Sequence, residues 1–223
     1  MFSRLTVLLA FAFVCGCNNA ADRTKQPAAD DKPKDAKVKP MDGPFMDETT
    51  LEFRGPSFTD ADLKALPNLD KVETLTLVDT AVTDDGCREL LRARALVEIA
   101  IISDKVSDNT LAVLARLPVL RSLQIHRGPK IGDEGLRYLS GCTGLRELYL
   151  KETAITDRGL SAIHKLPQIW SLILDDTAIS DEGCAALAEM QALSLLSLKK
   201  TQVSKAAVIA LKKARPKLIV YGP

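Results

Sequence analysis

The sequence predicts an α/β fold, a right-handed solenoid of about seven strand–helix repeats whose strands form one parallel sheet on the concave side of an arc. Three observations predict it. The first is a frame, Leu-x-x-Leu-x-Leu-x-x-Thr, whose central position recurs as Leu51, Leu75, Ile99, Leu123, Leu148, Leu172 and Leu196, every 24 residues except for one step of 25 into Leu148. The second is a change of apolar spacing inside each unit, from two residues to three. The third is a hydroxyl–acid pair placed between those two halves.

The repeat around Leu148 shows how each element follows. Leu148 and Leu150 point to one side and Tyr149 to the other, the alternation of a half-buried strand. Leu160, Ile163 and Leu166 then line one face of a short helix. Thr156-Asp157 between them is a helix start, the hydroxyl accepting from free amides and the carboxylate facing the positive end of the helix dipole. The pair recurs as Thr59-Asp60, Thr83-Asp84, Ser107-Asp108 and Ser180-Asp181; Gly132-Asp133 keeps only the acid, and Ser204-Lys205 only the hydroxyl. One repeat buries too little to order itself, so stability must come from stacking, and the ends must be caps. Residues 53–69 form one; residues 211–221 form the other, with Lys212, Lys213, Arg215 and Lys217 as its polar, basic skin.

These units resemble the leucine-rich repeat family, and within it the cysteine-containing type found in F-box proteins and in short bacterial relatives. The resemblance covers roughly residues 48–223 and implies the leucine-rich repeat solenoid. It implies little about activity, because this solenoid serves many roles. The adaptor role of the F-box relatives requires an F-box, which this sequence lacks. Where the family carries Asn or Cys after each strand, this chain has Thr80, Thr153, Thr177 and Thr201, whose hydroxyls can bond to the backbone of the turn and are expected to form a ladder.

Residues 1–17 read as an export signal rather than as part of the fold: Arg4 precedes an apolar stretch, residues 5–14, too short to span a bilayer. The sequence Val14-Cys15-Gly16-Cys17 resembles the bacterial lipobox, which implies a diacylglyceryl thioether on Cys17 and a lipid anchor in the cell envelope, facing the periplasm or the outside. Residues 18–44 are rich in mixed charge and proline and poor in large apolar side chains. They read as a disordered tether with a reach on the order of 30 Å. Residues 45–223 are the repeat domain.

Chemistry is sparse. The formal net charge is +1, so no general electrostatic case for nucleic acid exists. Cys87, Cys142 and Cys184 occupy slots filled elsewhere by leucine and read as buried free thiols. His164 is expected at the solvent side of a helix. His126 and Asp175 share a concave column, two repeats apart and roughly 10 Å, too far for a direct hydrogen bond and without a nucleophile beside them. Asp175 and Asp176 with Glu152 could approach a hard cation, but no calcium loop accompanies them. The expectation is a protein that is not an enzyme and takes no cofactor or metal.

The concave face carries the functional expectation. Two columns cross it: Glu52, Thr76, Ala100, Gln124, Tyr149, Ile173 and Ser197, and then Arg54, Val78, Ile102, His126, Lys151, Asp175 and Lys199. Val78, Ala100 and Ile102 form an apolar patch, followed by Tyr149 and Ile173 and then by charges. Trp170 sits at a strand start, and Arg127 and Lys130 lie in the one loop lengthened by a residue; these three are expected at the rim. Apolar area beside aromatic and charged residues is what an interface presents, although a parallel stack also favours β-branched residues for purely structural reasons. The expectation is a membrane-tethered module binding an unknown protein or peptide. The alternative is a structural or self-associating envelope lipoprotein.

Overall fold

A computed structural model describes residues 49–222 of the chain; Cys17 and the tether over residues 18–44 lie outside them. Eight parallel strands form one open sheet in sequence order. They are β1 (Thr50–Arg54), β2 (Thr74–Val78), β3 (Glu98–Ile102), β4 (Ser122–Gly128), β5 (Glu147–Thr153), β6 (Ser171–Ile173), β7 (Leu195–Ser197) and β8 (Ile219–Tyr221). Among the described residues seven α-helices alternate with them: α1 (Asp60–Ala65), α2 (Asp84–Cys87), α3 (Asp108–Leu114), α4 (Asp133–Leu139), α5 (Asp157–Ile163), α6 (Asp181–Glu189) and α7 (Lys205–Ala214). Short 3₁₀ turns, Leu69–Lys71 and Arg88–Arg92, follow α1 and α2. This is an α/β leucine-rich repeat solenoid.

The strands stack with the register of the repeat, Leu51 beside Leu75, Ile99, Leu123, Leu148, Leu172, Leu196 and Val220. Between sheet and helices these residues meet Leu150, Ile155, Leu160 and Ile163 and their counterparts in one continuous apolar core. Val220 is the eighth member of the series. Seven strand–helix repeats are present as expected, and β8 adds an eighth strand inside the cap over residues 211–221, where the leucine frame does not recur.

The helix starts fall where the hydroxyl–acid pairs place them, but the acid has a second role. Asp133 accepts from the backbone N–H (2.8 Å) and the hydroxyl (2.7 Å) of Thr156, the helix start of the next repeat. Asp60 does the same for Thr83, Asp84 for Ser107, Asp157 for Ser180 and Asp181 for Ser204. Gly132, without a hydroxyl, gives Asp108 only its N–H, at 2.7 Å. The result is a ladder of carboxylates joining successive repeats along the helix N-termini. At the first repeat the same groups of Thr59 turn instead to Asp62 of their own helix. The ladder stops at Lys205, which offers no acceptor.

The ladder explains the glycine two residues after Asp84, Asp133, Asp157 and Asp181. A Cβ on Gly159 would lie 2.6 Å from Asp133 Oδ1 and 3.2 Å from Asp133 Cα, and one on Gly135 would lie 2.5 Å from Asp108 Oδ1. Thr110 occupies this slot in the third repeat, and there its hydroxyl donates to Asp84 at 2.6 Å.

Two expectations change. The threonines after the strands do not bond from repeat to repeat. Thr153, Thr177 and Thr201 donate to the backbone three residues back, the carbonyls of Leu150, Leu174 and Leu198 in their own repeats, and the buried Thr80 hydroxyl has no partner among the described residues. Nor is Arg215 part of the basic skin. Its guanidinium folds inward and donates to the carbonyls of Ala188, Met190, Gln191 and Leu193 at 2.7–3.1 Å, closing the end of α6. Lys212, Lys213 and Lys217 remain exposed. At the opposite end Phe53 and Phe58 stack with ring centroids 3.9 Å apart.

Candidate functional site

The strand residues that alternate with the core leucines point to the opposite side of the sheet, because side-chain direction reverses at every residue. Parallel register then fixes their neighbours. Ala100 lies beside Gln124, Gln124 beside Tyr149 and Tyr149 beside Ile173; in the next column Val78 lies beside Ile102, Ile102 beside His126 and His126 beside Lys151. Asp175 and Lys199 continue past the ends of β6 and β7, where Asp175 Oδ1 accepts from the Ser197 hydroxyl (2.6 Å) and the Lys199 N–H (2.9 Å). Lys199 Nζ sits 5.8 Å above the Tyr221 ring.

The apolar patch is more enclosed than its residue types suggest. Val78 is 9% exposed, and Tyr149 and Ile173 are 7% exposed; Ala100, Ile102 and Gln124 are half-buried. Columns about 4.8 Å apart let each side chain shield the next, so the accessible apolar area centres on Ala100 and Ile102. Trp170 is half-buried just before β6, while Arg127 and Lys130 are exposed. The lengthened loop bends at Arg127, whose φ is 58°. Its guanidinium pairs with Asp79, two repeats back.

His126 is buried, and its pKa is pushed down to about 4 by burial and by Lys151 and Arg127, against the opposing pull of Asp175. A neutral imidazole between two cations is a poor acid–base group at neutral pH. His164, expected in solvent, is only half-buried: its Nδ1 donates to the Ser161 carbonyl at 2.9 Å, and Nε2 lies 3.6 Å from Glu189. Burial pushes the Cys87 thiol up to about 12 and the Cys184 thiol up to about 11, and raises Cys142, far from a reactive thiolate. Cys142 is the least buried, and its thiol donates to the Ala115 carbonyl. Asp176 pairs with Lys200, and Glu152 with Lys151.

A third column escaped the sequence reading. The first residues of the strands, Glu98, Ser122, Glu147 and Ser171, stand in register on the same face. The Ser171 hydroxyl donates to the Tyr149 hydroxyl (3.2 Å), which donates to Glu147 (3.3 Å), which also accepts from Ser122 (3.3 Å). Burial raises the Glu98 pKa. It raises that of Glu147 too, helped by the charge of Glu98 and opposed by the hydrogen bonds from Ser122 and Tyr149. Burial pushes Tyr149 up to about 12. The signal was present in the sequence as polar residues opening consecutive strands.

Fold and face together define a leucine-rich repeat scaffold, with helices on one side and an open, mixed apolar and charged sheet surface on the other. The Leucine Rich repeat family model matches residues 141–163. Two crystal structures from Listeria monocytogenes are similar over most of this chain. An internalin (inlF) has 21% identity and a TM-score of 0.56 over 69% of this chain and 48% of its own. An internalin C2 (inlC2) has 20% identity and a TM-score of 0.58 over 78% and 80%. The chain thus spans about half of the first and four-fifths of the second. At this identity the likeness establishes the fold alone. No curated protein matches the sequence significantly.

Proposed function

We propose that the protein is a non-enzymatic binding module that presents the sheet face of its solenoid to a protein or peptide and is held at a membrane by a lipid on Cys17. The observation that carries this reading is the make-up of the face: Ala100 and Ile102 accessible at its centre, Tyr149 held by hydrogen bonds, and charged residues along both edges, Glu98 and Glu147 on one and Arg127, Lys151 and Lys199 on the other. An apolar centre with a charged rim is the anatomy of a protein interface. The buried, high-pKa thiols and the low-pKa histidine supply no nucleophile–base pair. The lipobox resemblance at Cys17 supports the anchor, and the charged tether over residues 18–44 would hold the solenoid clear of the bilayer.

Fractionation tests the anchored state. The wild-type chain is expected in the membrane fraction and extractable with detergent, whereas Cys17→Ser is expected in the soluble fraction. A Cys17→Ser chain that stays with the membrane contradicts the lipid anchor.

A further inference from the structure

The first-position column places two carboxylates on the sheet face with Ser122 between them, Glu98 one strand before it and Glu147 one strand after. Their backbones are roughly 10 Å apart. Among the described residues neither forms an ion pair; the cations of the face, Arg54 (paired with Glu52), Lys151 and Lys199, and Arg127 at the rim, sit at the opposite ends of the strands. Both carboxylates are half-buried, and Glu147 also feels the charge of Glu98. Like charges sharing a half-buried surface without a counter-charge work against the fold, and a cation arriving from outside would remove that penalty. Two neighbours suit a peptide. Ala100 is a small residue two positions after Glu98 on β3, and the half-buried Gln124 beside it has a side-chain amide with no hydrogen-bond partner among the described residues, placed to meet a peptide backbone.

We propose that this surface is the docking site for an extended segment of a partner protein carrying a lysine or arginine, whose charged end seats over Ser122 between Glu98 and Glu147. The inference rests on the sheet face being a binding surface and names what that surface reads. Charge complementarity selects the occupant. A metal ion would need its oxygen ligands at about 2.3–2.6 Å, which carboxylates two strands apart do not readily share. A long ammonium or guanidinium side chain has several donors and can meet one carboxylate on each side. The cationic far edge of the face, Arg127, Lys151 and Lys199, would then favour acidic residues elsewhere in the same segment.

The test uses the full chain and two pools of random dodecapeptides, one with a fixed central lysine and one with acetyl-lysine in its place, which removes the charge. The wild-type chain is expected to retain lysine peptides at least tenfold more tightly than their acetylated forms. Glu98→Gln/Glu147→Gln is expected to hold both forms equally, with a thermal midpoint no lower than wild type, which separates lost recognition from lost folding. Peptide binding that ignores both acetylation and the double substitution overturns this inference while leaving the sheet face as a binding surface. Absence of peptide binding overturns the inference and counts against the broader reading as well. Binding that emerges only when Lys32, Lys34, Lys37 and Lys39 are replaced by glutamine also overturns it, because the occupant would then be the chain's own tether.

Discussion

Gly159→Val is expected to lower the stability of the solenoid by about 3 kcal/mol, and Gly159→Thr by roughly half as much, although the two side chains have nearly the same shape. Any Cβ here meets Asp133 Oδ1 at 2.6 Å, Leu136 Cδ1 at 2.9 Å and Asp133 Cα at 3.2 Å. The carboxylate cannot easily swing away, because the N–H and hydroxyl of Thr156 hold it. Valine pushes an apolar methyl against that carboxylate. Threonine can offer it a hydrogen bond, as Thr110 does for Asp84 in the third repeat. Urea denaturation of both variants measures the difference. Equal losses would mean that volume alone decides the slot and that the carboxylate ladder has no part in it.

The second large effect is expected with pH. His126 has an ordinary pKa near 6.5 when unfolded and about 4 when folded, so between these values the unfolded chain binds the extra proton. Stability from the neutral, buried imidazole is therefore complete above pH 6.5 and is lost as pH falls towards 4. The loss is on the order of 3 kcal/mol. Glu98 and Glu147 act in the opposite sense, since their raised values let the fold take up protons that the unfolded chain does not yet hold. Asp84 behaves conventionally. Burial works upward on it, but the hydrogen bonds from Ser107 and Thr110 win and hold it low, so its contribution is lost only in stronger acid. Comparing wild type with His126→Gln isolates the histidine: the slope of stability against pH between 4 and 6.5 should flatten. An unchanged slope would contradict the burial of a neutral imidazole.

Most of the architecture was legible because it is periodic. The leucine frame gives the strands, the change of spacing gives the helices, and the hydroxyl–acid pairs mark the helix starts at Thr59, Thr83, Ser107, Thr156 and Ser180, with the hydroxyl alone marking the one at Ser204. What escaped depends on contacts between repeats. The partner of Asp133 is 23 residues away, and local sequence shows only its position in its own helix. Arg215 looks like surface charge until the carbonyls at the end of α6 stand beside it. On the sheet face, period and register sorted Val78, Ile102, His126 and Lys151 into one column, but enclosure by neighbouring columns needed coordinates. Glu98 and Glu147 are not legible as a pair in the sequence, because a polar residue opening a strand looks like the end of a loop.

The partner is expected to meet the sheet face and not the helix side. A photo-activatable benzophenone residue placed at Gln124 or at the exposed helix position Ser161, in intact cells and with the Cys17 anchor in place, tests it most directly. A discrete cross-linked species from Gln124 and none from Ser161 is the predicted result. Cross-links from Ser161 alone, or from neither position, would contradict it.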